Sequence, residues 1–211
     1  MSIKFSLYVR RAEREDLDTV VDWMEDPDFI RFLYGDPARS PKRMRENIVN
    51  MLGRSPGNTM PLGVYLIMDS AEYGPFGMLA LTNISWRNRS VNIDTYIGKK
   101  ELREGFIGAV AFFRALEYCF YELNMHRVNL LVYSFNTRSW RVIERSGAVR
   151  ELVLKDHVIR DGKFYDMYGY GLLRHEFDKL HSEISTRMPG ITLEANEATY
   201  EAALARKDAG A

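Results

Sequence analysis

The sequence is poor in cysteine, with Cys119 as its single example among 211 residues. One cysteine excludes an intramolecular disulfide and any zinc site built from paired cysteines. Cys119 stands between Tyr118 and Phe120 in an apolar, helix-forming stretch, which favours a buried thiol over a nucleophile. We therefore expect a fold stabilised by a hydrophobic core, without a metal.

The chain also lacks an excess of charge and a long apolar run. Its 29 basic residues balance its 29 acidic ones. A nucleic-acid binder usually shows a basic excess, because phosphate contacts supply much of its affinity. No apolar run approaches the roughly 18 residues of a membrane span, and the first residues have no apolar signal core. These absences predict a cytoplasmic protein without a nucleic-acid or membrane partner.

The periodicity of apolar residues predicts a single mixed α/β (α+β) domain. The predicted strands are 5–11, 62–68, 76–85, 91–97, 127–133, 149–158 and 163–172. The predicted helices are 15–25, 40–52, 105–122 and 137–146. The domain would span residues 1–177, and residues 178–211 would form a C-terminal helical appendage or a tail.

Glycines and one arginine cluster where the strand ending at Ile97 meets the long helix, in the stretch from Gly98 through Arg103 to Gly108. A glycine-containing turn that opens a helix leaves several backbone amides free. The helix dipole adds a partial positive charge there, so the turn suits a phosphate or pyrophosphate. A plain turn without a ligand is the alternative.

A second cluster begins after the next strand, in Asn136-Thr-Arg-Ser139. Asn136 is suited to cap the following helix by accepting from one of its free amides. Gly147 is suited to end that helix. Capping alone would explain both residues, so this cluster does not by itself indicate a ligand.

Together, the two clusters resemble the Gcn5-related N-acetyltransferase (GNAT) superfamily, most closely its RimJ/RimL-like branch. The resemblance covers about residues 7–177 and rests on a collinear series of short motifs. These motifs are Arg11–Leu17, Tyr96–Arg103, Leu123–Val128, Asn136-x-x-Ser139, Val142–Gly147, Gly162–Asp166 and Leu172–Phe177.

The resemblance implies a mostly antiparallel mixed sheet that splays between its fourth and fifth strands, with acetyl-CoA in the opening. The fourth strand would hydrogen-bond the pantetheine arm, and the backbone amides after that strand would hold the pyrophosphate. An asparagine would anchor the arm from the other side. The residues that match these roles are Thr95, Ile97, Arg103, Glu104, Gly105, Phe106, Ile107, Gly108, Ala109 and Asn136.

Two positions depart from the family pattern. Phe106 takes the place of the first glycine of the usual phosphate loop, and Gly105 lies one residue earlier. Ile143 stands where many relatives carry the tyrosine that protonates the departing thiolate. The branch that this chain resembles often lacks that tyrosine and has a serine at the position of Ser139, so Ser139 is predicted to assist the thiolate.

Acetyl transfer to an amine requires a group that takes up the proton of the ammonium. His157 is our predicted base, because imidazole is largely neutral at cytoplasmic pH and its strand can carry the base in this branch. Asp94 is the rival base. Asp94 and Tyr34 are also the residues predicted to bind the acceptor. The acidic run from Glu13 to Asp28 is expected to be a solvated helix face. Other aromatic residues that could wall the acceptor pocket are Phe29, Phe32 and Trp86.

The predicted function is therefore acetyl-CoA-dependent N-acetyl transfer to a primary amine, by direct attack in a ternary complex. The amine could be a protein N-terminus or a small molecule. A non-catalytic acyl-CoA-binding or scaffolding protein of the same fold is the alternative, and an unrelated phosphate-ligand binder is a third hypothesis. A homodimer is compatible with the sequence.

Overall fold

The computed structural model describes residues 7–29, 31–32, 46, 60–61, 63–70, 72–103 and 107–187, with side chains up to residue 183. Three sets of predictions lie outside these residues. They concern the helix at 40–52, the residues Tyr34 and Glu104–Phe106, and the tail beyond residue 187.

Seven strands and five helices make up the described fold. The strands are β1 Leu7–Arg11, β2 Val64–Ser70, β3 Gly74–Ser85, β4 Ser90–Ile97, β5 Arg127–Tyr133, β6 Val149–Arg160 and β7 Lys163–Leu173. The helices are α1 Leu17–Glu25, α2 Pro27–Phe29, α3 Ile107–Glu117, α4 Thr137–Arg145 and α5 Arg174–Arg187. A π-helical turn, Tyr118–Glu122, extends α3. The predicted strands and the helices α1, α3 and α4 are confirmed to within about two residues at each end.

The strands form one sheet in the order β1-β2-β3-β4-β5-β7-β6. Neighbouring strands are antiparallel, except for the parallel pair β4–β5. That pair is short: it runs from Ser90 opposite Arg127 to Asn92 opposite Asn129, and beyond it the two strands separate. The mostly antiparallel mixed sheet, splayed between its fourth and fifth strands, is therefore confirmed.

Helices pack on both faces of the sheet. Successive side chains of β4 point to opposite faces and so belong to different cores. Val91 and Ile93 belong to the main core beneath α3, where they meet Phe112 and Leu116. Tyr96 belongs to a second core under α1 and α2. Asp94, two residues before Tyr96, therefore faces the side of the sheet that α1 and α2 cover.

Gly98 fixes the approach of α1 to the end of β4. A Cβ atom at this position would come within 2.1 Å of the Trp23 ring, so no other residue fits without displacing the helix. Cys119 is fully buried in the main core, and burial raises the pKa of its thiol well above its usual range. The prediction of an inert buried thiol is confirmed.

The helix α5 was not predicted from the sequence, and the proposed domain boundary at residue 177 falls inside it. Phe177 is fully buried and stacks against Phe120 with ring centroids 5.1 Å apart. His181, one turn later, lies 2.8 Å from the Glu117 carboxylate. The first half of α5 is thus part of the main core. No helix in the described part of the chain is both long enough and apolar enough to cross a membrane.

Candidate active site

A cavity of about 410 Å³ opens where β4 and β5 separate. Its walls come from the last residues of both strands, the start of α3 and the start of α4. Because β4 and β5 no longer pair with each other here, their facing backbone groups are available to an extended ligand, as at the edge of a sheet. The structure thus brings the two sequence clusters, which lie almost 30 residues apart, to one cleft.

The β4 wall contains Asp94, Thr95 and Ile97, all of which were predicted site residues. Asp94 forms no ion pair with any residue that the structure describes. Burial raises the pKa of its carboxyl to about 6. A carboxylate with this pKa is mostly ionised at neutral pH, yet it is a much stronger base than an exposed aspartate.

The α3 side of the cleft contains Gly108 and Ala109, at the positively polarised end of the helix. A Cβ atom on Gly108 would have Ile97 Cγ1, at 4.0 Å, as its nearest neighbour outside the helix backbone, so the position is open towards the cleft. Ile107 begins the helix but does not line the cavity.

All three guanidinium nitrogens of Arg103 donate hydrogen bonds, and these bonds join the end of β4 to Asp26 and Asp28. Its Nη2 donates to Asp26 at 2.9 Å and to the Tyr96 hydroxyl at 2.6 Å, its Nη1 donates to Asp28 at 2.9 Å, and its Nε donates to the Ile97 carbonyl at 2.8 Å. Burial alone would raise the pKa of Asp26, but hydrogen bonds from Arg103 and the Asp28 amide hold it below its usual value.

The acidic run before residue 30 is therefore not the uniformly solvated face that we expected. Asp16 is buried and binds Arg10 through both carboxylate oxygens at 2.6 Å, and Asp26 and Asp28 bind Arg103. The partner of Asp28 lies 75 residues away in the sequence, so only the folded chain reveals the pair.

At the α4 end, Asn136 caps the helix as predicted. Its Oδ1 accepts from the Ser139 amide at 3.3 Å, and Gly147 ends the helix region with a φ of +85°. Asn136 and Ser139 both line the cavity. Ile143 also lines the cavity, one turn beyond Ser139. Thr137 and Ser139 supply the hydroxyls of the α4 wall, and Ser139 lies on the same helix face as Ile143.

The structure does not bring His157 to the cavity. Its side chain is exposed on the edge strand β6, beside an irregularity in the pairing between Leu154 and Val158. Its role as a base stays a prediction that this placement does not favour. Asp94, the rival base, lies in the wall of the cleft.

Two of the aromatic candidates are structural, and one further aromatic residue was missed. Phe29 is buried edge-on against Tyr96, and Trp86 donates to the Pro61 carbonyl at 2.7 Å. Phe32 does line the cavity, and so does Phe135, whose ring centroid lies 6.0 Å from that of Phe32. The signal for Phe135 was its position directly before Asn136.

The comparisons with known proteins agree with this geometry. The family model of the GNAT acetyltransferase domain matches residues 6–149. The N-acetyltransferase p20 of Bacillus licheniformis is 23% identical over 81% of this chain and 94% of its own length. The putative ribosomal N-acetyltransferase YdaF of Bacillus subtilis is 32% identical over 48% of this chain and 55% of its own length. The crystal structure of spermidine N-acetyltransferase from Vibrio cholerae, in complex with CoA and spermine, has a TM-score of 0.71 at 22% identity. The match covers 82% of this chain and 98% of that one.

Proposed function

The chain belongs to the GNAT acetyltransferase family and is an N-acetyltransferase, and from this premise we propose that it transfers an acetyl group from acetyl-CoA to a primary amine by direct attack in a ternary complex. The observation that carries the proposal is the cleft between β4 and β5. It places an open pair of strand edges, the start of a helix and a half-buried carboxylate around one cavity.

The residues present suit a CoA thioester. The backbone of Thr95 and Ile97 can pair with the amides of the pantetheine arm, while Asn136 borders the arm from the α4 side. The amides of Ile107, Gly108 and Ala109 lie in the first turn of α3, where they have no partner within the helix and suit a pyrophosphate. Arg103 joins the end of β4 to the acidic residues Asp26 and Asp28.

Asp94 is the proposed proton acceptor. An alkylammonium with a pKa of about 10 has no lone pair for attack at neutral pH, so it must first lose a proton. Asp94 is mostly ionised at pH 7. Burial raises its pKa to about 6, and a base is most efficient when its pKa lies near the operating pH. It also lines the cavity, whereas His157 does not.

Ser139 is proposed to hydrogen-bond the CoA sulfur. It lies on the first turn of α4, one turn before Ile143, and its own amide is held by the Asn136 cap. Acetyl-CoA supplies an acyl carbon activated as a thioester. One proton of the ammonium passes to Asp94 before the attack. As the N–C bond then forms and the C–S bond breaks, a second proton leaves the nitrogen and reaches the sulfur with the help of Ser139. The products are the N-acetylated amine and the free thiol.

The proposal is tested by measuring thiol release from acetyl-CoA in the presence of a panel of primary amines, with mass spectrometry of the products. We expect amine-dependent release of one thiol for each acetyl group gained by the acceptor. A protein that binds acetyl-CoA, as shown by a raised melting temperature, yet acetylates no amine of the panel would contradict the proposal.

A further inference from the structure

The acceptor side of the cleft is walled by aromatic rings from two distant parts of the chain. Phe32 follows α2, and Phe135 lies in the turn after β5. Their ring centroids are 6.0 Å apart. Phe135 is held by two further rings, since it stacks on Tyr133 at 5.3 Å and meets the edge of Tyr165 at 5.0 Å. This arrangement presents a rigid apolar surface to a ligand in the cavity.

Two of these rings, Phe32 and Tyr133, already contact cations of the protein itself. The Arg31 guanidinium lies 5.6 Å from the centre of the Phe32 ring, and the Arg160 guanidinium lies 5.5 Å from that of Tyr133. Arg160 also approaches the Arg31 carbonyl oxygen at 3.5 Å. A ligand ammonium on the face of Phe32 that Arg31 covers would therefore meet a cation, instead of a free cation–π site.

The described wall of the cavity has few carboxylates. Among the described residues that line the cavity, the acidic ones are Asp28 and Asp94 and the basic ones are Arg103 and Arg138. Asp28 is paired with Arg103 at 2.9 Å, which leaves Asp94 to meet a substrate ammonium.

These charges fit a ligand with a single ammonium. A buried charge is tolerated only where an opposite charge or a full set of hydrogen bonds replaces its water. A polyamine would bring three or four ammonium groups to a cavity in which, among the described lining residues, Asp94 is the one carboxylate outside the Arg103 ion pair. An amine with an apolar body would instead bury that body against Phe32 and Phe135 while its ammonium meets Asp94.

We infer that the acceptor is a primary monoamine whose amino group is joined to an aromatic or bulky apolar body, with this body packed against Phe32 and Phe135. The inference rests on the proposed function and deepens it by naming the class of acceptor. It sets this chain apart from the spermidine N-acetyltransferase whose fold it shares.

The test compares kcat/KM for 2-phenylethylamine, n-propylamine, spermidine and a peptide with an N-terminal serine, at saturating acetyl-CoA. We expect 2-phenylethylamine to exceed each of the others by about tenfold or more, because only its phenyl ring removes a large apolar surface from water against Phe32 and Phe135. Phe32→Ala and Phe135→Ala should each raise KM for 2-phenylethylamine by about tenfold. Both variants should change kcat/KM for n-propylamine by less than about threefold, because this amine lacks the ring.

Phe164→Ala is the matched control, because Phe164 is 63% exposed on β7 and does not line the cavity. It should leave all four kcat/KM values unchanged. If spermidine or the peptide is the better acceptor, the inference is overturned while the proposed function stands. If acetyl-CoA raises the melting temperature but no amine is acetylated, the proposed function fails and the inference falls with it. Equal losses for 2-phenylethylamine and n-propylamine in the two phenylalanine variants also overturn the inference.

Discussion

Asn129 Nδ2 donates to Asn92 Oδ1 at 3.2 Å, at the last residue pair before β4 and β5 separate. Arg127 Nε donates to Asn129 Oδ1 at 2.6 Å, which orients the amide. The two side chains thus join the strands at the point where the backbone ladder between them ends. This pair marks the closed end of the cleft that holds the candidate active site.

Asn129→Ala should loosen this end of the cleft. The loss of hydrogen bonds to Asn92 and Arg127 should lower the free energy of unfolding by roughly 1–2 kcal/mol, or a few degrees in melting temperature. We also expect a higher KM for acetyl-CoA, because the separation of the strands is less well defined. Asn88→Ala, at an exposed turn, should change neither quantity. Unchanged stability and KM in Asn129→Ala would contradict this role for the amide.

Gly108→Glu should abolish the rise in melting temperature that acetyl-CoA produces. The substitution places a negative charge in the first turn of α3, where the pyrophosphate is expected. Gly108→Ala is the matched control, because its methyl group fits with Ile97 Cγ1 at 4.0 Å, and it should keep most of the rise. If Gly108→Glu folds and retains the full thermal shift, the cofactor binds elsewhere.

Ser139→Ala should lower kcat by about ten- to a hundredfold, within or below the usual range for acid–base assistance. KM for acetyl-CoA should change by less than about threefold, because the amide of residue 139 still binds the Asn136 cap. Ser139→Thr retains a hydroxyl and should restore most of the rate. Full turnover in Ser139→Ala, with chemistry rate-limiting, would show that water protonates the sulfur.

Asp94→Asn should stabilise the folded protein above pH 6. The folded protein holds the Asp94 proton up to a pKa of about 6, whereas the unfolded chain releases it near pH 4. Stability is therefore lost as the pH rises through this interval and is not regained above it. Chemical denaturation at pH 5 and pH 7 should show that the asparagine substitution adds more stability at pH 7 than at pH 5, by roughly 1 kcal/mol.

The exposed Asp22→Asn is the control for this measurement and should have no such pH-dependent effect. A stability difference between Asp94→Asn and the wild type that is equal at pH 5 and pH 7 would show that Asp94 titrates as an ordinary aspartate.

The elements that the sequence could predict are those with strong local signals. The strand Arg127–Tyr133 was predicted to the residue, because a compact apolar run is bounded there by polar turns. Asn136 and Gly147 were placed at the two ends of α4 by their capping chemistry. The helix α5 was not predicted, because its apolar residues Phe177, Leu180 and Ile184 are few among polar and charged ones.

The parts of the site that the sequence could not predict depend on tertiary contacts. The alternation of side chains along β4 does not show whether Asp94 faces solvent or the cleft. The packing of α1 and α2 on the sheet decides this. The ion pairs of Arg103 with Asp26 and Asp28 join residues more than 70 positions apart. His157 was chosen for its chemistry, but the register of the edge strand β6 leaves it outside the cavity.

The pH dependence of kcat/KM between pH 5 and pH 8, measured for the wild type, Asp94→Asn and His157→Ala with the best amine of the panel, tests most directly whether the proton of the acceptor leaves through Asp94. We expect that wild-type kcat/KM falls below a pKa of about 6, that His157→Ala keeps this acidic limb, and that Asp94→Asn loses it together with about 10²–10⁴-fold in rate. An active Asp94→Asn with the acidic limb intact, alongside an inactive but folded His157→Ala, would contradict this role for Asp94.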